Sequence, residues 1–80
     1  MNIQKVLHDH SLTSTEKVVY MEVYTQSKMK YCCTMTNSEL GRLLNVSNKT
    51  ISRCLTKLHK SYYITVFTEG VTRVAKVNKN

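Results

Sequence analysis

Thr36-Asn37-Ser38-Glu39-Leu40-Gly41-Arg42-Leu43-Leu44-Asn45-Val46-Ser47-Asn48-Lys49-Thr50-Ile51-Ser52-Arg53-Cys54-Leu55 contains two helix starts separated by a single interruption. Thr36 and Glu39 have the spacing of a capping box, in which the hydroxyl accepts from the third helical amide and the carboxylate reaches back to the cap. Leu40, Leu43 and Leu44 then supply an apolar face at i, i+3 and i+4, which predicts a helix of about nine residues. Asn45-Val46 breaks the pattern, and Ser47 is a good N-cap. Ile51, Cys54, Leu55 and Leu58 form the stripe of a further helix that should end near Lys60 or Ser61.

Upstream, Thr13-Ser14-Thr15-Glu16 is a second capping box. Val19, Val23 and Gln26, flanked by Tyr20 and Tyr24, continue a helical period to about Met29. Ile3, Val6, Leu7 and His10 have the spacing of a short amphipathic helix or of an arm that docks on a partner. Tyr31-Cys32-Cys33-Thr34-Met35 suits a short strand. Downstream, the β-rich runs at residues 63–67 and 71–77 flank Thr68-Glu69-Gly70 and predict a hairpin. A two-residue Glu69-Gly70 turn would set Thr68 opposite Val71, Val66 opposite Arg73 and Ile64 opposite Ala75. It would place Ile64, Val66, Ala75 and Val77 on one core-facing side.

With 80 residues and 41% apolar content, the chain can bury one small core. The expected division is an arm or short helix over residues 1–12 and one domain over 13–80. At this size a partner subunit often adds stability, so a homodimer is expected, with the predicted helix after Thr13 and the Ile3, Val6 and Leu7 arm as candidate interfaces. The net charge of +7 is unevenly distributed. Residues 1–26 hold Lys5 and Lys17 against Asp9, Glu16 and Glu22; everything from Ser27 onward holds ten Lys and Arg against Glu39 and Glu69. That concentration is the footprint expected of a polyanion binder, because each cation placed near a phosphate releases condensed counterions.

The predicted order is helix, strand, helix, turn, helix, strand, strand. The stretch from Asn37 to Leu55 resembles the helix-turn-helix motif of bacterial and phage regulators, and residues 12–78 more loosely resemble winged-helix domains of plasmid and phage replication, partition and regulatory proteins. The resemblance places Gly41 where the helices cross, Val46 at the apolar turn position, and Ile51 and Cys54 in the core. It departs at Asn45, where such motifs usually have glycine, although asparagine tolerates the left-handed conformation. The implied fold class is α+β: a winged helix-turn-helix with a three-helix core, a short strand and a C-terminal β-hairpin wing.

The resemblance further implies a sequence-specific binder of double-stranded DNA whose Ser47-capped helix enters the major groove and which regulates transcription by site occupancy. With the apolar stripe turned inward, Asn48, Lys49, Ser52, Arg53, Thr56 and Lys57 face out. Arg53 suits guanine and Asn48 suits adenine, while Lys49, Lys57 and Lys60 suit phosphates. The hydroxyls of Ser47 and Thr50, and Thr36 and Ser38 at the start of the preceding helix, are further phosphate candidates. In the wing, Arg73 or Lys76 would reach the neighbouring minor groove or its phosphates. Partition-site or replication-origin binding is an alternative task, with a protein of a partition, replication or transcription complex as partner. A winged-helix module for protein docking is an alternative of another class.

Other chemistry finds little support. Cys32, Cys33 and Cys54 are an odd set with two adjacent members, which points to a reduced, cytoplasmic protein. His8, His10 and His59 do not combine with the cysteines at metal-site spacings, so no metal or cofactor is expected. The five carboxylates are scattered and no glycine-rich phosphate loop is present, so no enzyme is expected. No apolar run is long enough to span a membrane.

Overall fold

Three side-chain caps set the framework of the computed structural model, which describes residues 3–78 and leaves Lys79 outside. Thr13 and Glu16 close a capping box at the start of α2 (Ser14–Lys30), and Thr36 and Glu39 close another at the start of α3 (Asn37–Leu44). The Ser47 Oγ accepts from the Thr50 amide at the start of α4 (Asn48–Lys60). A short α1 (Ile3–Leu7) precedes them, and β1 (Ile64–Glu69) and β2 (Thr72–Val77) follow. Among the described residues, four helices and a two-stranded antiparallel hairpin make a small α+β fold consistent with a winged helix.

The core collects Val19, Tyr20 and Val23 from α2, Leu40 from α3, and Ile51, Cys54, Leu55 and Leu58 from α4. Ile64 and Ala75 close it from the hairpin. Cys33 and Cys54 are both buried, and burial pushes both thiols up, as befits small core residues. Val6 and Leu12 belong to the same core and Ile3 packs against it, so α1 is part of one packed body. Of the arm proposed as an interface, only Leu7 stays substantially exposed; Val18 and Met29 are the exposed apolar residues of α2. The phenol of Tyr63 donates to Asp9 Oδ2 at 2.7 Å, which ties the segment after α1 to the chain after α4.

The hairpin is shifted from its expected register. Ile64 pairs with Val77, Val66 with Ala75, Thr68 with Arg73 and Glu69 with Thr72, so the turn is Gly70-Val71 rather than Glu69-Gly70. Gly70 has φ +63, a left-handed turn conformation that glycine adopts without a Cβ penalty. The shift preserves parity, so Ile64, Val66, Ala75 and Val77 do share one side, and Ile64 and Ala75 are fully buried. The expected strand at 31–35 is reduced to one bridge, Cys33 to Ala75, with amide-to-carbonyl distances of 2.7 and 2.9 Å in the two directions.

The α3–α4 junction is tight. Asn45 adopts φ 60 and ψ 46, and the Val46 amide donates to the Gly41 carbonyl at 2.8 Å. A Cβ on Gly41 would stand 2.5 Å from the Val46 carbonyl oxygen, a backbone atom that cannot swing aside. Gly41→Ala should therefore destabilise the fold: overpacking costs about 1–3 kcal/mol, which exceeds the roughly 1 kcal/mol of helix propensity gained. A thermal melt checks the sign, since the same substitution at an unhindered helical glycine would raise Tm.

A second expectation concerns pH. Hydrogen bonds from the Ser11 hydroxyl, Tyr63 and the Ser11 amide lower Asp9 from 3.8 to about 2. The Asp9 contribution to stability is thus complete above about pH 4 and is lost as pH falls toward 2. The Asp9 hydrogen bond and burial raise Tyr63 to about 12, so its share persists at pH 10 and is lost as pH rises through 12. Tyr63→Phe should flatten the alkaline limb and weaken the acid limb of a stability–pH profile measured by denaturant unfolding.

Candidate nucleic-acid interface

The buried stripe of α4 leaves its opposite side free, and that side carries Lys49, Arg53, Thr56 and Lys60, all exposed. At 100° per residue these four fall within a narrow sector, and the row runs about 16 Å along the helix. Ser52 and Lys57 flank the row, Ser52 exposed and Lys57 half-buried. No acidic residue occurs anywhere on α4, so nothing on the helix offsets its positive field.

Several polar groups at the helix starts are already engaged. The Ser47 hydroxyl accepts from the Thr50 amide at 3.1 Å and lies 2.9 Å from the Thr50 hydroxyl. Thr36 Oγ1 accepts from the Glu39 amide at 3.1 Å. The Asn48 carboxamide donates to Ser38 Oγ at 3.1 Å, bridging the first turns of α3 and α4. Asn48 thus spends one N–H between the two helices, while its side chain stays exposed. Ser38 and Thr36 stay exposed and, accepting in these bonds, keep their hydroxyl protons available.

Arg73 and His59 brace the hairpin to α3 and α4. Arg73, sought as a reader reaching outward, lies on the inward side of β2 with Ala75 and Val77. Its Nη1 donates to Asn37 Oδ1 at 2.8 Å and its Nη2 to the Met35 carbonyl at 2.6 Å, while its Nε is buried with no partner. His59 at the end of α4 accepts at Nδ1 from the Val66 amide at 3.1 Å, covering an outward N–H of the edge strand β1. Lys76 is exposed on the other face of the hairpin, paired with Thr65.

Together these elements enclose a groove of about 370 Å³ lined by Asn37, Ser52, Thr56, His59, Lys60 and Arg73. The sequence reading missed Asn37 and His59. The role of Arg73 was signalled by strand alternation, because the parity that turns Ala75 and Val77 inward also turns Arg73 inward. Among the described residues, no group of three or more His, Cys, Asp or Glu is arranged to hold a metal, and no helix is long and apolar enough to cross a membrane.

Removing the brace should be measurable. Arg73→Ala strands the Asn37 and Met35 oxygens and should cost about 1–3 kcal/mol, with faster amide exchange in β2 and the first turn of α3. Lys76→Ala, on the solvated face, should change stability by no more than about 0.5 kcal/mol. Comparable losses from both would show that Arg73 does not hold the hairpin. No protein-family model matches this sequence, and no curated protein is significantly similar to it.

Proposed function

We propose that the chain is a winged helix-turn-helix protein that binds double-stranded DNA in a sequence-specific manner, with α4 in the major groove, and acts by occupying its site as a transcriptional regulator. The observation that carries this reading is the row Lys49, Arg53, Thr56 and Lys60: exposed, free of acidic neighbours on its helix, and presented opposite the buried stripe. A helix is the element that fits the major groove of B-form DNA, and cations with hydroxyls are the side chains that meet phosphates and base edges.

In this arrangement Arg53 reads a base, most favourably guanine through O6 and N7, and Ser52 and Thr56 contribute hydrogen bonds beside it. Lys49, Lys57 and Lys60 contact phosphates, and the start of α3, with the Thr36 and Ser38 hydroxyls, meets the backbone on the near side of the groove. Arg73 acts indirectly by fixing the hairpin against α3. A homodimer would place two such helices on paired half-sites, with Leu7, Val18 and Met29 as the exposed apolar residues of the arm and α2 left for the interface.

The test is binding to duplex fragments of the replicon that encodes the chain and to random duplex, titrated across salt. One fragment should be retained about a thousandfold better than random sequence. Arg53→Ala should cost about 1–3 kcal/mol on that fragment and much less on random DNA, whereas Lys49→Ala should weaken both and reduce the salt slope by about one. Absence of duplex binding at low salt would overturn the proposal. The position of a retained fragment, at a promoter or at an origin or repeat array, separates regulation from replication and partition.

A further inference from the structure

A second groove lies on the face of the hairpin that carries Thr65, Phe67 and Lys76, the side turned away from Val66, Arg73 and the α4 groove. It occupies about 660 Å³ between that face and the end of α2, and is lined by Lys28, Tyr31, Phe67, Lys76 and Val77 among others. Tyr31 is 86% exposed and Phe67 41% exposed. Tyr31 also caps α2 with φ 73, in the left-handed region where glycine is the usual C-terminal residue and a bulky side chain is strained. The chain thus holds an aromatic ring in water at a position where its backbone is unfavourable and its packing return is small.

We propose that this groove docks an acidic peptide segment of a protein partner, with an apolar side chain seated against Tyr31 and Phe67 and flanking carboxylates meeting Lys28 and Lys76. Charge complementarity selects this occupant: the lining contains two lysines and no acid. A second copy of the chain is poorly equipped to supply such a segment. Asp9 accepts from Ser11 and Tyr63, Glu16 and Glu39 close capping boxes, and Glu22 accepts from Gln26, which leaves Glu69 at the hairpin end. The site is separate from the α4 row, so a DNA-bound chain keeps it available for a partner.

The experiment uses the full chain and a fluorescent nine-residue peptide with Phe and Leu at its centre and Asp and Glu on both sides, read by anisotropy. Saturable binding is expected, with none for a control peptide carrying Lys in place of the acids. Tyr31→Gly should weaken binding by about tenfold or more while raising Tm, because it removes the ring and relieves the left-handed backbone together. Loss of docking in a more stable variant cannot come from unfolding. Lys28→Glu should weaken binding comparably, and neither variant should alter affinity for duplex DNA.

The proposal is overturned if the acidic peptide does not bind, or if both variants bind it like the parent. It is also overturned if oligothymidylate displaces the peptide and binds more tightly with the same sensitivity to Tyr31→Gly, which would make the groove a single-strand site. Concentration-dependent self-association in sedimentation that Tyr31→Gly abolishes would assign the groove to a second copy instead.

Discussion

The close approach of Gly41 to Val46 is the constraint on which the rest depends. With a Cβ at residue 41 only 2.5 Å from the Val46 carbonyl, α3 and α4 could not meet at the observed angle. The left-handed Asn45 turns the chain within three residues, and the Asn48 to Ser38 hydrogen bond locks the two first turns together. That junction brings α4 against α3, and with the apolar stripe of Ile51, Cys54, Leu55 and Leu58 buried, Lys49, Arg53, Thr56 and Lys60 emerge as one row. A small side chain where backbones touch, a residue tolerant of positive φ at the turn and a carboxamide between the helix starts each answer a different requirement of one corner.

The hairpin depends on that corner at one remove. Arg73 reaches Asn37 and the Met35 carbonyl at the start of α3, and His59 reaches Val66 from the end of α4. Both are polar side chains used as struts, and they position the hairpin relative to the helices without enlarging a core that 80 residues cannot extend. A cation that looks like a ligand contact in the sequence is here a structural donor, half-buried and with two of its nitrogens engaged. α4 carries Lys49, Arg53, Lys57 and Lys60 with no acidic residue, whereas the hairpin carries Lys76 and the braced Arg73 with Glu69.

The two faces of the hairpin then divide the surface. One side, with Val66 and Arg73, completes the groove beside α4; the other, with Phe67 and Lys76, opens toward the strained Tyr31 at the end of α2. Alternation along two short strands keeps the two surfaces apart.

Local pattern by itself determined the helices, because capping boxes, the Ser47 cap and the 3.6-residue stripes are fixed by neighbours within four positions. The left-handed turn at Asn45, the bare crossing at Gly41 and the outward set on α4 were legible for the same reason, as was the parity of the hairpin. Tertiary structure alone decided the register, which shifted the turn to Gly70-Val71 and set Thr68 opposite Arg73, since two turns of equal parity satisfy the same alternation. It also decided the fates of Arg73, Asn48, His59 and Val6, whose partners lie on other elements or in the common core. Side-chain type states what a residue can bond, and only the packed fold states whether that bond is already made.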